Sequence, residues 1–161
     1  MYHPKKKKVK TSTLKNKLVR IFNLYIRLRD TYDNGIVKCI SCGKFYVFEA
    51  VDCGHFVNCS VGSLQFNEQN CNAQCRACNR FQEGNNIEYT QGIMKKYGID
   101  IIDKLRIIKQ THSHFKAFDY EIMIKHYAGE ALKLVETKSL DDDTKQKIIK
   151  TCKAIVNKTD I

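Results

Sequence analysis

With 161 residues the chain has room for one compact domain and an arm. A content of 43% hydrophobic and 28% charged residues excludes wholesale disorder, and no apolar run approaches the ~20 residues that span a bilayer. The net charge of +11 is unevenly placed: residues 1–38 hold eleven Lys/Arg against Asp30 and Asp33 alone, while residues 39–85 are close to neutral. A basic arm beside a neutral, cysteine-rich centre suits a polyanionic partner, with a solubilising tail as the alternative that charge alone leaves open.

The first residues, Met1-Tyr2-His3 and then Pro4 with Lys5, Lys6, Lys7 and Lys8, lack the apolar stretch of a secretory signal, so an intracellular protein is expected. The lysine run also resembles a short nuclear-import signal, a pattern common in DNA-binding arms. Residues 1–13 read as a flexible basic arm. From Leu14 the apolar residues Leu14, Leu18, Ile21, Phe22, Tyr25 and Leu28 recur at helical spacing, which predicts a helix with a core-facing stripe. It should stop near Asp30, ahead of the Asp33-Asn34-Gly35 turn.

Short β-type runs follow at 36–38, 45–48 and 51–57, then a polar loop through Ser60, Gly62 and Ser63. A helix is expected to open at Cys75 and run toward Phe81. Residues 86–97, 99–110, 117–138 and 142–157 read as helices, broken at Gly98, around His112-Ser113-His114, and at the acidic triplet Asp141-Asp142-Asp143. That triplet fits a helix N-terminus, where negative charge meets the positive end of the macrodipole.

Seven of the eight cysteines fall between residues 39 and 78. Without a secretory signal such a cluster reads as metal binding rather than as a disulfide framework. Cys39-Ile40-Ser41-Cys42-Gly43 and Cys75-Arg76-Ala77-Cys78 form two Cys-x-x-Cys knuckles. Each knuckle can aim two thiolates at one ion, and together they complete a closed tetrahedral zinc site with no open position for chemistry. Gly43 suits a turn that requires positive φ. Cys53, Cys59 and Cys71 have irregular spacing and read as buried thiols, although Cys53 and Cys59 neighbour His55 and leave a second zinc open.

Between the knuckles stands Asp52-Cys53-Gly54-His55-Phe56, with Asn70 fifteen residues after His55, and Asn79 follows the last knuckle cysteine. A histidine, an asparagine, and an asparagine at a helix start is the order found in ββα-metal (His-Asn-His) nucleases. Hydrolysing a phosphodiester calls for a neutral imidazole to take a proton from water. It also calls for a hard divalent ion on oxygen ligands to hold the phosphate and the leaving oxygen.

These residues, with residues 25–30, 64–70, 74–79, Gly84 and Asn85, resemble the NinG (Rap) recombination proteins of lambdoid phages. Those proteins are structure-specific endonucleases of junctions and D-loops. The layout is also similar to the endonuclease VII type of junction resolvase. The resemblance implies an α+β, mostly helical fold, in which a zinc-stabilised ββα-metal core over 36–85 lies between an N-terminal helix and turn (14–35) and a C-terminal helical region (86–161). It implies His55 as general base, Asp52 and Asn79 as ligands of a catalytic Mg²⁺ or Mn²⁺, and Asn70 as the brace of the loop carrying the base. Residues three apart on a regular strand face opposite sides, so Asp52 and His55 share a site only if the chain bends or bulges at Gly54. Otherwise Asp52 orients the imidazole or is structural, and Glu83 or Asn85 substitutes as ligand.

The expected function is endonuclease action on branched double-stranded DNA by a homodimer, with no membrane and no small-molecule cofactor, in the bacterial host's cytoplasm if the chain is of phage origin. Lys5, Lys6, Lys7, Lys8, Lys10, Lys15, Lys17, Arg20, Arg27, Arg29, Arg76 and Arg80 are the expected DNA contacts, most of them to phosphates. His112, His114 and His126 are expected at the surface or near DNA. A nicking enzyme of linear duplex and a zinc-ribbon DNA-binding module without activity are the alternatives.

Overall fold

In the computed structural model, residues 9–157 are described. The architecture is α+β and about 60% helical. The expected arm residues Lys5, Lys6, Lys7 and Lys8 lie outside the described residues.

Helix α1 spans Thr11–Arg29, beginning three residues before its apolar stripe. Leu14, Leu18, Ile21, Phe22 and Leu28 are buried as their spacing requires, and Leu24 and Ile26 are buried as well, so α1 is covered on more than one side. Its first partner is α5 (Ala117–Thr137), whose Tyr120, Ile124, Tyr127, Ala128, Ala131 and Val135 face the same core. Helix α6 (Asp142–Asn157) closes that core with Ile148, Cys152 and Ile155. Each large side chain fully buried here contributes about 1.5–3 kcal/mol. The acidic triplet opens α6, where Asp141 Oδ1 accepts the Thr144 amide at 2.9 Å.

The centre holds two separate two-stranded antiparallel sheets. Strands β1 (Ile36–Lys38) and β2 (Phe45–Val47) pair with Val37 opposite Tyr46. Strands β3 (Val51–His55) and β4 (Cys71–Cys75) pair with Asp52 opposite Gln74 and His55 opposite Cys71. β4 was not expected from the sequence. Cys71-Asn72-Ala73-Gln74-Cys75 alternates only small apolar residues with polar ones and has no β-branched or aromatic residue, yet all five are buried. The polar loop after β3 contains a short helix, α2 (Gly62–Gln65). The second knuckle leads into a single π-helical turn, Ala77–Phe81, rather than an α-helix.

Helices α3 (Asn86–Tyr97) and α4 (Ile101–Lys109) bury Tyr89, Ile93, Ile101 and Leu105 against Leu64 of α2, which makes a second, smaller core. Among the described residues no helix is long and apolar enough to cross a membrane.

Candidate metal centre and active site

The first knuckle is the loop that joins β1 to β2. Gly43 takes φ +69° and donates its amide to the Cys39 carbonyl at 3.1 Å, which closes the turn tightly enough for both thiols to point inward. The second knuckle begins at the last residue of β4. The sulfurs of Cys39, Cys42, Cys75 and Cys78 all lie within 4.8 Å of one another. Cys42 and Cys75 Sγ are 3.9 Å apart, close to the roughly 3.8 Å edge of a tetrahedron with ~2.3 Å zinc–sulfur bonds. Three of the four cysteines are buried.

Around them stand N–H and O–H groups suited to thiolates. The Cys75 amide donates to Cys39 Sγ at 3.3 Å, Asn85 Nδ2 to Cys78 Sγ at 3.5 Å, and the Tyr46 hydroxyl lies 3.8 Å from Cys42 Sγ. The buried Gln74 amide joins the first knuckle to the turn after the second, donating to Ser41 Oγ at 2.7 Å and to the Gly84 carbonyl at 2.6 Å. A buried tetracysteine group of this kind could hold zinc, and its sulfur donors suit no hard cation.

His55 ends β3, half-buried, with Nε2 3.2 Å from the Gln65 carbonyl oxygen of α2. Burial pushes its imidazole below the usual histidine range, against the smaller opposite pull of that carbonyl. The loop between His55 and α2 is held by Asn70, which is fully buried. Its Oδ1 accepts the Val57 amide at 2.8 Å, and its Nδ2 donates to the Val57 and Leu64 carbonyls, each at 3.0 Å. One side chain therefore fixes both the residues just after His55 and the helix that supplies the carbonyl beside it. The Tyr89 hydroxyl adds a bond to the Gly54 carbonyl at 2.9 Å. Gln65, Gln74 and Tyr89 carried no signal in the sequence, because each acts through a partner ten or more residues away.

Asp52 is placed differently. β3 and β4 pair one residue to one from Val51 to His55, so no bulge re-aims the strand at Gly54. A side chain at Gly54 would meet Gln74 Oε1 at 2.3 Å, and the glycine lets that amide lie flat across the hairpin instead of bending it. Asp52 and His55 consequently project from opposite faces. The bend that would bring them side by side is absent. On its own face Asp52 receives Arg80 Nε at 2.7 Å and Nη2 at 2.8 Å, with Asn79 Nδ2 at 3.2 Å. Burial raises its pKa, but the bonds from Arg80 and Asn79 outweigh that and hold the carboxyl below the ordinary range. Asp52 and Asn79 are thus brought together, with Arg80 across them. Of the substitute ligands, Asn85 is engaged with Cys78 and Gln82, and Glu83 is exposed at φ +49°.

The expected phosphate contacts divide. Lys10, Lys15, Arg20, Arg76 and Arg80 are exposed, and Lys17 is half-buried. Arg27 lies over the Phe48 ring at 4.5 Å and donates to the Val51 carbonyl, while Arg76 donates to the Glu49 carbonyl at 2.6 Å. Arg20, Arg27 and Arg76 line a groove of about 480 Å³ with Lys147 and Thr151 of α6. His112, His114 and His126 are all exposed, with the His126 ring against Tyr127.

Arg29 is a correction. Instead of facing solvent it grips Asp30 with Nε and Nη2 at 2.9 and 3.0 Å, and donates to the Glu68 and Cys71 carbonyls. Asp30 also accepts the Ala73 amide at 2.8 Å and Lys96 Nζ at 2.7 Å, which ties the end of α1 to β4 and α3. Burial acts to raise the Asp30 pKa, but Arg29 and Lys96 lower it below the usual value. Asp30→Ala leaves the Arg29 charge and the Ala73 amide without their acceptor, so we expect a loss of about 3–5 kcal/mol at neutral pH. Because the folded-state pKa is depressed, this contribution is full above the ordinary carboxylate pKa and lost as pH falls through the folded value. Denaturant melts should show a wide gap between wild type and Asp30→Ala at pH 7 that narrows in acid. An equal gap at both pH values would contradict the assignment.

Comparisons with known proteins agree with one another. The family described as "Bacteriophage Lambda NinG protein" matches residues 2–139. The chain is 31% identical over 91 residues to Protein ninG of Escherichia phage lambda, a match covering 56% of this chain and 42% of that protein. It is 30% identical over 91 residues to Protein ninG of Escherichia phage 933W, covering 56% and 43%. The matched region therefore spans less than half the length of these curated relatives. No solved structure matches. With the family match running over most of its length, the chain belongs to the family of the bacteriophage lambda NinG protein.

Proposed function

We propose that this chain is a structure-selective DNA endonuclease that hydrolyses a phosphodiester bond of branched double-stranded DNA, such as a Holliday junction or D-loop, with the help of a hard divalent ion. The observation that carries the reading is the His55 loop. A partly buried imidazole favoured in its neutral form, set beside the Gln65 carbonyl and held there by a fully buried Asn70, is the arrangement a general base needs. Nε2–H donation to that carbonyl leaves the other ring nitrogen with the lone pair that accepts a proton from water.

The Asp52 carboxylate and the Asn79 amide, in contact with each other, carry the oxygen donors for Mg²⁺ or Mn²⁺. Since they lie on the face of the hairpin away from His55, a shared reaction centre requires the hairpin to bend at Gly54 when DNA and the ion bind. The ion, when bound, stabilises charge on the phosphate and the leaving oxygen. Arg80, exposed and carrying its charge at the same carboxylate, is placed to exchange Asp52 for a phosphate. Lys10, Lys15, Lys17, Arg20, Arg27 and Arg76, with the arm, hold DNA without reading its sequence. Zinc in the tetracysteine group keeps the β3–β4 hairpin in place and takes no part in the chemistry. Two equivalent strands of a four-way junction call for two active sites, hence a homodimer, acting in the cytoplasm of a phage-infected bacterium.

A second reading, a zinc-stabilised DNA-binding module without activity, draws support from the Arg80 fork that occupies both oxygens of Asp52. A single experiment separates these and the linear-duplex nickase. A synthetic four-way junction and a matched linear duplex are incubated with the protein in Mg²⁺ and in EDTA. The proposal expects Mg²⁺-dependent cutting of the junction well above the duplex. Equal cutting of both favours the nickase, and binding without cutting favours the module.

A further inference from the structure

The face of the β3–β4 hairpin opposite Asp52 carries three side chains with metal-ligand chemistry. Cys53 and His55 lie two residues apart on β3, and the register sets Cys71 of β4 directly across from His55. Two sulfurs and an imidazole nitrogen are thereby brought within 4.8 Å of one another. Cys71 is fully buried, and Cys53 and His55 are half-buried. The Gln65 carbonyl oxygen stands 3.2 Å from His55 Nε2 and 3.7 Å from Cys71 Sγ, so the donors are oriented by a common acceptor. Arg29 Nη2 donates to the Cys71 carbonyl at 2.9 Å and places a positive charge on the backbone beside the group. Cys59, near in sequence, is exposed on the following loop and outside the group.

We propose that Cys53, His55 and Cys71 form a second transition-metal site, distinct from the tetracysteine centre, which takes one zinc-class ion with its fourth position open to solvent and blocks hydrolysis while occupied. The ligand set decides the ion. Two thiolates balance a divalent charge, and sulfur with imidazole nitrogen selects Zn²⁺ or Co²⁺ over Mg²⁺ or Ca²⁺. Three protein ligands rather than four leave one coordination position for water. The blocking clause rests on His55 acting as the base, as proposed above. A neutral imidazole with one N–H has a single lone pair, and it cannot hold a metal and accept a proton together.

Full-length protein with its tetracysteine centre filled by zinc is titrated with Co²⁺ under a thiol-protecting reductant, and thiolate-to-cobalt absorption is followed. One further ion per chain is expected, lost in Cys53→Ala while metal analysis still finds the tetracysteine zinc. Cys53 is chosen because Cys71 lies in the main core, where a substitution risks the fold. A wild type that takes no further ion, or a Cys53→Ala protein that still takes it, overturns the site. In the second arm, excess Zn²⁺ is added to junction cleavage in Mg²⁺. The zinc needed for half inhibition should rise by about tenfold or more in Cys53→Ala, since one of three metal bonds is gone. Equal sensitivity of the two proteins overturns the blocking clause alone. Absence of any cleavage by wild type overturns that clause together with the endonuclease reading, and cobalt stoichiometry alone then decides the site.

Discussion

Cys39→Ser or Cys78→Ser is expected to unfold the centre of the chain while leaving the α1–α5–α6 bundle largely helical. The reason lies in how unequally apolar surface is shared. The bundle buries Leu14, Leu18, Ile21, Phe22, Tyr127 and many others in one cluster. The sheets beside the knuckles have a cluster of their own of only Val37, Val51 and Ala73, with Tyr46 packed at the side, and lean on the bundle core through Cys71 and Cys53. Three small side chains cannot offset the entropy of ordering the segments that hold them. A structural zinc is worth about 10–16 kcal/mol in isolated zinc-finger peptides at neutral pH, comparable with the entire stability of an ordinary domain. Losing one thiolate leaves a buried three-ligand remnant and removes much of that energy. Hydrogen exchange should therefore lose protection over residues 36–55 and 71–85, while the far-UV helical signal falls only modestly. A strong chelator should do the same to wild type. A zinc-free variant that keeps β3–β4 protected would sink the tetracysteine assignment.

The parts of this fold that were legible in the sequence are those set by short-range geometry. A Cys-x-x-Cys turn fixes where two thiols point without help from the rest of the chain, and Cys39, Cys42, Cys75 and Cys78 do converge. Helices over 86–97, 99–110, 117–138 and 142–157 were readable from period and breakers, and they are found at Asn86–Tyr97, Ile101–Lys109, Ala117–Thr137 and Asp142–Asn157. β4 was illegible because its polar residues are buried and satisfied from afar. Asn72 Oδ1 accepts Lys96 Nζ and the Tyr97 hydroxyl, each at 2.8 Å, and Gln74 reaches Ser41. Arg29 looked like a surface charge for the same reason, since most of its acceptors belong to residues some forty positions on. The period of a regular strand did warn that Asp52 and His55 face apart, and the even β3–β4 register keeps them so. The group formed by Cys53, His55 and Cys71 could not be read from spacing, because β4 had to exist first.

His55→Ala and Asn79→Ala are expected to abolish most cleavage for different reasons, and the difference tests the proposed roles. His55→Ala removes no tetracysteine ligand and no resident positive charge, because burial already favours the neutral ring. Asn70 still holds the loop through Val57 and Leu64, so folding and junction binding should survive. Cleavage should fall by a factor of about 10² or more, the usual effect of losing a general base. Added Mg²⁺ or Mn²⁺ should not restore it, since no metal concentration replaces a missing proton acceptor. Asn79→Ala takes the amide side chain, with its oxygen donor, from beside Asp52 and leaves the carboxylate with Arg80. Its cleavage should fall too, but through a weaker ion site, so raised Mg²⁺ or Mn²⁺ should recover part of the rate. The measurement is single-turnover cutting of a four-way junction across a metal titration, with binding followed in EDTA. Wild-type cutting by His55→Ala would remove the base from the mechanism. Metal rescue of His55→Ala, with none for Asn79→Ala, would exchange the two roles and place the catalytic ion on the His55 face of the hairpin.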